Sequence, residues 1–204
     1  MLAHKGRVVR RSNPYQTDDG ELIARAAQGD REAFGTLYER YVFRVFRHIH
    51  FLTSDSCLAE DLTAQTFLKA LEAIPRFEMR GVPFLAWLLR IAYNITVNYR
   101  KARANGNAKL PEIIEATGVS YSPEDSCQAK VDAQRVWDGV RRLRGDQRQV
   151  IVMRFVDGLG YPDIAQVLGK SIGAVRVIQY RALASLRQML DEELSPSLAR
   201  SRAG

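Results

Sequence analysis

Apolar residues recur at intervals of three and four along most of the chain, the spacing of a helix that buries one face. Between Asp18 and Leu52 the residues Leu22, Ala26, Ala33, Leu37, Tyr41, Val45 and Ile49 follow one stripe. Asp30, after Gly29, is placed to cap a helix start, since its carboxylate can accept from N–H groups of the first turn. The stretch therefore predicts one short helix and one long one. Ser54-Asp55-Ser56 breaks the pattern and offers the next cap, and Leu58, Leu62, Phe67, Leu68, Leu71 and Ile74 carry the period on to Pro75. After a turn-like stretch from Arg76 to Pro83, Phe84, Leu85, Trp87, Leu88, Ile91, Ala92, Ile95 and Val97 predict a strongly apolar helix ending in Tyr99-Arg100-Lys101. The helices on either side of that turn are expected to pack into one bundle of about 85 residues.

Residues 104–130 change character. Gly106, Pro111, Gly118 and Pro123 interrupt any periodicity, so this stretch reads as a flexible linker. Beyond it Ala133, Val136, Trp137, Val140 and Leu143 open a second helical set, which Val150, Ile151, Met153, Phe155 and Val156 continue up to Asp157-Gly158. A short helix from Pro162 to Leu168 and a long one from Ser171 to about Leu190 follow. The expectation is an all-α protein of two small helical domains, an N-terminal helical bundle and a C-terminal helix-turn-helix domain, joined by a flexible linker. Its divisions are an arm over 1–17, a bundle over 18–103, a linker over 104–130, a second domain over 131–190 and a tail over 191–204.

Composition narrows the class. The 204 residues are 46% hydrophobic with a formal net charge of +7, and no apolar run approaches the roughly 18 residues that span a bilayer. The basic start, Lys5, Arg7, Arg10 and Arg11, leads into Ser12-Asn13-Pro14 and lacks the apolar core of a leader. The two cysteines, Cys57 and Cys127, lack metal-site or disulfide spacing and read as reduced thiols in a cytoplasm. His48 and His50 point to different faces of one helix and cannot share a metal as i, i+4 histidines do; His4 lies in the arm. With no nucleophile elbow, phosphate-cradling loop or metal-spaced cluster, neither catalysis nor a cofactor is expected.

The distribution of charge says more than its total. Residues 76–110 carry seven basic residues and one acidic, and 135–190 carry ten and four, while 111–134 between them carry one and five. Two basic blocks separated by an acidic one suit two contacts with a polyanion such as nucleic acid.

The sharpest local motif lies in the second block. A helix-turn-helix needs a small residue where its helices touch, a glycine in the turn and a branched apolar residue packing the second helix back. With Tyr161 as the first position, Ala165, Gly169 and Val175 fall at five, nine and fifteen, and Ser171 is a suitable N-cap. Arg176, Tyr180 and Arg181 then lie on or beside the face that can reach DNA; Arg148, Arg154 and Lys170 would touch phosphate or only solvate the surface.

Two strings now carry a resemblance. Ala59-Glu60-Asp61-Leu62-Thr63-Ala64-Gln65-Thr66-Phe67-Leu68-Lys69-Ala70, Pro75-Arg76-Phe77 and Phe84-Leu85-Ala86-Trp87-Leu88-Leu89-Arg90-Ile91-Ala92-Tyr93-Asn94 resemble the second domain of bacterial extracytoplasmic-function sigma factors. Asp146-Gln147-Arg148-Gln149-Val150-Ile151-Val152-Met153-Arg154-Phe155, Gly158, Ile164-Ala165, Leu168-Gly169, Ser171 to Arg176 and Arg181-Ala182 resemble the fourth.

The resemblance implies a dissociable specificity subunit of bacterial RNA polymerase. Glu60, Asp61, Gln65 and Phe67 map to the surface that docks on the clamp helices of the polymerase's largest subunit, with Phe67 equally readable as core. Arg76, Phe77, Arg80, Asn94, Asn98, Arg100 and Lys101 map to the element that opens the minus-ten region, captures a flipped base and holds the single strand. Trp87, central to its apolar stripe, reads as core. Ser171, Arg176, Tyr180 and Arg181 map to minus-thirty-five recognition by a domain that meets the flap of the second-largest subunit. Promoter DNA and core polymerase are the implied partners, with an anti-sigma factor wedged between the domains as a further one and no membrane partner.

The departures are specific. Ala64-Gln65 stands where the family has Gln-Glu, which removes a carboxylate from the docking helix. Ile178 replaces a recognition-helix arginine, and Gln179 takes a core leucine position, leaving open whether Ile178 packs in its stead. Two other readings stand beside the family one: a stand-alone helix-turn-helix regulator, and a first bundle that serves some other protein. Segment 76–103 separates them, because a duplex-only repressor has no use for a basic strand-holding element.

Overall fold

A computed structural model describes residues 19–78, 81–105 and 127–201, with side chains from 19–78, 81–105 and 135–192. The arm over 1–17, Arg80 and most of the expected linker lie outside the described residues. Among the described residues all regular structure is helical.

The first domain comprises α1 (Asp19–Ala27), α2 (Arg31–Thr53), α3 (Ser56–Ala73), a single 3-10 turn (Ile74–Arg76) and α4 (Phe84–Ala104). Asp30 starts α2 by accepting from the Glu32 and Ala33 N–H groups, and Asp55 starts α3 by accepting from that of Leu58. Ser54, in the left-handed conformation at φ 59°, ends α2 and lets α3 fold back on it. The stripes named above converge, with Leu37, Val45, Ile49, Leu62, Leu88 and Leu89 each at most 1% exposed. Thr63, Thr66 and Thr96, buried among them, donate to carbonyls one turn back, so no hydroxyl is left without a partner. Asp19 locks α1 onto α2 by accepting from the Tyr41 hydroxyl and from Arg40. Burial and the Asp19 carboxylate push the Tyr41 phenol above its ordinary range.

The second domain comprises α5 (Cys127–Arg142), α6 (Gly145–Ile151), a π-helical turn (Val152–Val156), α7 (Tyr161–Leu168) and α8 (Ile172–Ser201). Helix α5 begins inside the stretch expected as linker. Helix α8 runs past Leu190 into the expected tail, through Asp191-Glu192-Glu193-Leu194 and on across Pro196 to Ser201. Gly139 brings α5 close to α8: a Cβ there would meet Leu186 Cδ2 at 3.1 Å.

The two domains touch. Buried residues of both, from Leu88 and Ala92 to Ile164 and Val167, form one continuous apolar cluster, and a smaller one joins Leu52 to Val140, Ile151, Val152 and Leu186.

Candidate nucleic-acid interface

The exposed face of α4 assembles the first group. Asn94, Asn98 and Lys101 lie at i, i+4 and i+7 and are all exposed, as is Arg90 one turn earlier on the same stripe. Sequence reasoning passed over Arg90; its signal was the four-residue step back from Asn94. Helical geometry thus lines up two cations and two amides along one side.

At the N-terminal end of that stripe lies a cavity of about 370 Å³ lined by Arg76, Phe77, Glu78, Trp87 and Arg90 of the first domain and by Gln166 and Val167 of α7. Phe77 packs 4.6 Å from Trp87 and 5.8 Å from Phe84, centre to centre, and Phe84 lies 5.3 Å from Trp87. Phe84 is buried whereas Phe77 and Trp87 are only half-buried. Trp87, read from its stripe as core, therefore shows part of its ring to the cavity. Arg76 is exposed beside it.

Arg100 behaves differently from its neighbours. It turns inward and donates to the Leu52 carbonyl at 2.7 Å, and burial holds its guanidinium below the ordinary range.

On α3, Asp61 and Gln65 are half-exposed and share a stripe with the exposed Leu68 and Glu72. Phe67 faces the other way: it is 5% exposed and sits in the core, where Tyr38 packs edge-on at 4.8 Å. Leu68, which the period placed with the core, is 54% exposed, and Leu71 and Tyr38 add 47% and 43% beside it. A pattern of closely spaced apolar residues does not by itself tell which of Phe67 and Leu68 turns inward. Only the position of α2 decides it.

The helix-turn-helix is formed by α7 and α8. Gly169 ends α7 at φ +63°, a left-handed conformation that a side chain would strain. Lys170 N–H then reaches back to the Ala165 carbonyl at 2.9 Å. Ala165, 7% exposed, leaves room for the crossing and Val175 is fully buried beneath it. The Ser171 hydroxyl accepts from Ala174 N–H at 3.2 Å and opens α8. Ile178 is half-buried against the core, and Gln179 is half-buried too, with its Oε1 atom buried and without a protein partner.

Along the outer face of α8, Ile172, Arg176, Val177, Tyr180 and Arg181 are exposed, with Tyr180 at 76%. Lys170 pairs with Asp146 at 3.1 Å. Arg154 and Arg148 are committed to carbonyls: Arg154 donates to Leu159 at 2.9 Å, and Arg148 to Leu52 at 3.1 Å and to Leu143 at 3.3 Å. Among the described residues no group of three His, Cys, Asp or Glu side chains could hold a metal, and no helix is long and apolar enough to cross a membrane.

Comparison with known proteins gives two family matches, Sigma-70 region 2 over residues 37–105 and Sigma-70, region 4 over residues 133–186. The ECF RNA polymerase sigma factor BldN of Streptomyces coelicolor is 37% identical over 174 residues, which span 85% of this chain and 66% of that protein. The RNA polymerase sigma factor CarQ of Myxococcus xanthus is 30% identical over 170 residues, 83% of this chain and 96% of that one. Among solved structures, the sigma factor RpoE in complex with the anti-sigma factor NepR from Bartonella quintana superposes with a TM-score of 0.63 at 26% identity, covering 78% of this chain and 96% of that one.

Proposed function

The chain belongs to the extracytoplasmic-function RNA polymerase sigma factors, and from that premise we propose how its two helical domains divide promoter recognition. The observation that carries the reading is the α4 stripe of Arg90, Asn94, Asn98 and Lys101 running into the aromatic cavity of Phe77 and Trp87. Unstacked bases offer π faces and unpaired edges, and a single strand offers closely spaced phosphates. Aromatic rings, amides and cations in one line match all three needs. The first domain therefore opens and holds the minus-ten element. Flipping a base costs a few kcal/mol, which capture of that base and the partner polymerase offset.

The second domain reads duplex minus-thirty-five DNA. Its α8 enters the major groove by its N-terminal end, with Ser171, Arg176, Tyr180 and Arg181 at the surface and Ala165, Gly169 and Val175 setting the crossing angle. Docking on polymerase falls to α3, through Glu60, Asp61 and Gln65 together with the exposed Leu68 and Leu71; Phe67 supports that face from beneath. The protein works by binding and carries out no chemical step of its own, in the cytoplasm where polymerase and promoter are found. RpoE's pairing with NepR supports an anti-sigma protein as a further partner of this chain.

The test is a binding partition. Purified chain should co-elute with bacterial core RNA polymerase, and the complex should retain a promoter fragment that neither component retains alone. A chain that holds duplex DNA tightly and ignores core polymerase would be a stand-alone regulator instead.

A further inference from the structure

The outward face of α8 is less polar at its N-terminal end than contact with phosphate alone calls for. Ile172 and Val177 are 42% and 49% exposed there, on the same side of the helix as the exposed cations Arg176 and Arg181. The inward side is already filled, by the buried Val175, Ala182 and Leu186 and the half-buried Ile178. At 3.6 residues per turn, Ile172 and Val177 therefore flank the outward direction, and Gly173, also exposed, lies between them.

Gly173 has no task inside the protein. Its backbone is ordinary helix with no positive φ, and a Cβ built on it would meet Ser171 Oγ at 4.0 Å, an ordinary van der Waals contact. A glycine in a helix lowers stability relative to alanine. What the missing side chain does provide is close approach from outside, on the face that a helix-turn-helix presents to a duplex.

The chemistry of the groove selects what approaches. In the major groove the base pairs show hydrogen-bonding groups, and the C5 methyl of thymine is the apolar group among them. A branched apolar side chain brought against that methyl removes both from water. Set against the exocyclic amine of cytosine or adenine, the same side chain leaves a buried donor without a partner. The contact thus favours thymine and disfavours the alternatives at once. Arg176 and Arg181 on the same face supply the charge that a duplex requires.

We propose that Ile172 and Val177 read thymine methyl groups in the minus-thirty-five element, and that Gly173 lets the α8 backbone settle close enough for both side chains to reach them. The inference rests on the reading of α8 as the helix that enters the duplex.

The test starts from the full chain in complex with core polymerase, used to enrich a duplex library randomised over the minus-thirty-five position. Thymine should emerge at the positions α8 contacts. The enriched duplex is then made with deoxyuridine for each thymidine in turn, which removes the methyl and leaves base pairing intact. At a contacted position the lost methyl should weaken binding about fourfold, which corresponds to roughly 0.8 kcal/mol per buried carbon. Val177→Ser and Ile172→Ser should each bind the thymine and uracil forms equally at one such position. Gly173→Ala should melt no lower than the parent and yet bind the thymine duplex several-fold more weakly. An enriched duplex without thymine overturns the proposal. So do uracil forms that the unsubstituted chain binds as tightly, and folded serine variants that discriminate as before. Gly173→Ala binding as the parent does overturns the part given to Gly173. Should a serine variant fail to fold, the comparison of thymine with uracil in the unsubstituted chain decides. Failure of the underlying reading has its own signature, a complex that enriches no sequence at the minus-thirty-five position at all.

Discussion

The guanidinium of Arg176 lies 5.3 Å from the centre of the Tyr161 ring, the same ring that Arg154 approaches at 4.9 Å. Arg154 is itself fixed to the Leu159 carbonyl, so the ring at the start of α7 is held from the turn before it and in turn orients a cation on the first turns of α8. Arg176→Ala should weaken duplex minus-thirty-five binding by about 1–3 kcal/mol if the side chain contacts a base, or lower the salt slope by about one if it contacts phosphate. Tyr161→Phe keeps the ring and should bind as the parent does, whereas Tyr161→Ala should lose part of what Arg176→Ala loses. Anisotropy titrations of the polymerase complex at several salt concentrations measure both effects.

Leu62 and Leu68 sit six residues apart on α3 and face opposite ways, at 1% and 54% exposed. Leu62→Ala should destabilise the first domain by about 2–5 kcal/mol through the cavity it leaves. Leu68→Ala should change stability by less than about 0.5 kcal/mol yet weaken binding to core polymerase, as Asp61→Ala should. Thermal melts paired with polymerase titrations separate the two residues. Equal stability losses would mean that Leu68 is core after all.

On α4, Asn94→Ala and Arg90→Ala should both impair promoter opening more than closed-complex binding. Permanganate reactivity of minus-ten thymines reports opening and gel retention reports closed binding. Arg90 is the sharper test, because only its place on the exposed stripe assigns it.

Asp30 gives a prediction in pH. N–H groups of the first turn of α2 and the Arg25 side chain hold its carboxyl below the usual aspartate range. A carboxylate favoured by the folded state adds stability that is present above the unfolded value of about 3.9 and is lost as pH falls through the lower folded value. Asp30→Asn keeps a capping oxygen but does not titrate. The parent should therefore lose more of its melting temperature than Asp30→Asn between pH 5 and pH 3, with the two converging at the acid end.

Most of the helical frame was legible in the sequence because its signals are local. Asp30, Ser54, Asp55 and Ser171 act within one turn of their own positions, and the apolar period needs no knowledge of what lies opposite. The helix-turn-helix spacing from Tyr161 to Val175 is local in the same sense. What could not be read depends on distant partners. His48 and Asp157 are 109 positions apart, and nothing near either announces that they meet. Arg100, mapped to the minus-ten element, and Arg148, readable as a phosphate contact or a solvated cation, both donate to the Leu52 carbonyl, a partner far from each in the chain. Leu68, expected in the core, is exposed, and Phe67, equally readable as surface or core, is the one buried, because only the third dimension shows which of two adjacent apolar residues α2 covers. The π-helical turn at Val152–Val156 is likewise not announced locally, since its sequence reads as plain helix.

The most direct test is run-off transcription from promoter fragments of the chain's own genome by bacterial core RNA polymerase, with and without the purified protein. The account predicts discrete transcripts that require the chain and are reduced by Arg176→Ala and by Asn94→Ala. Transcription no different from that of core polymerase alone, on fragments that the chain nevertheless binds as duplex, would contradict it.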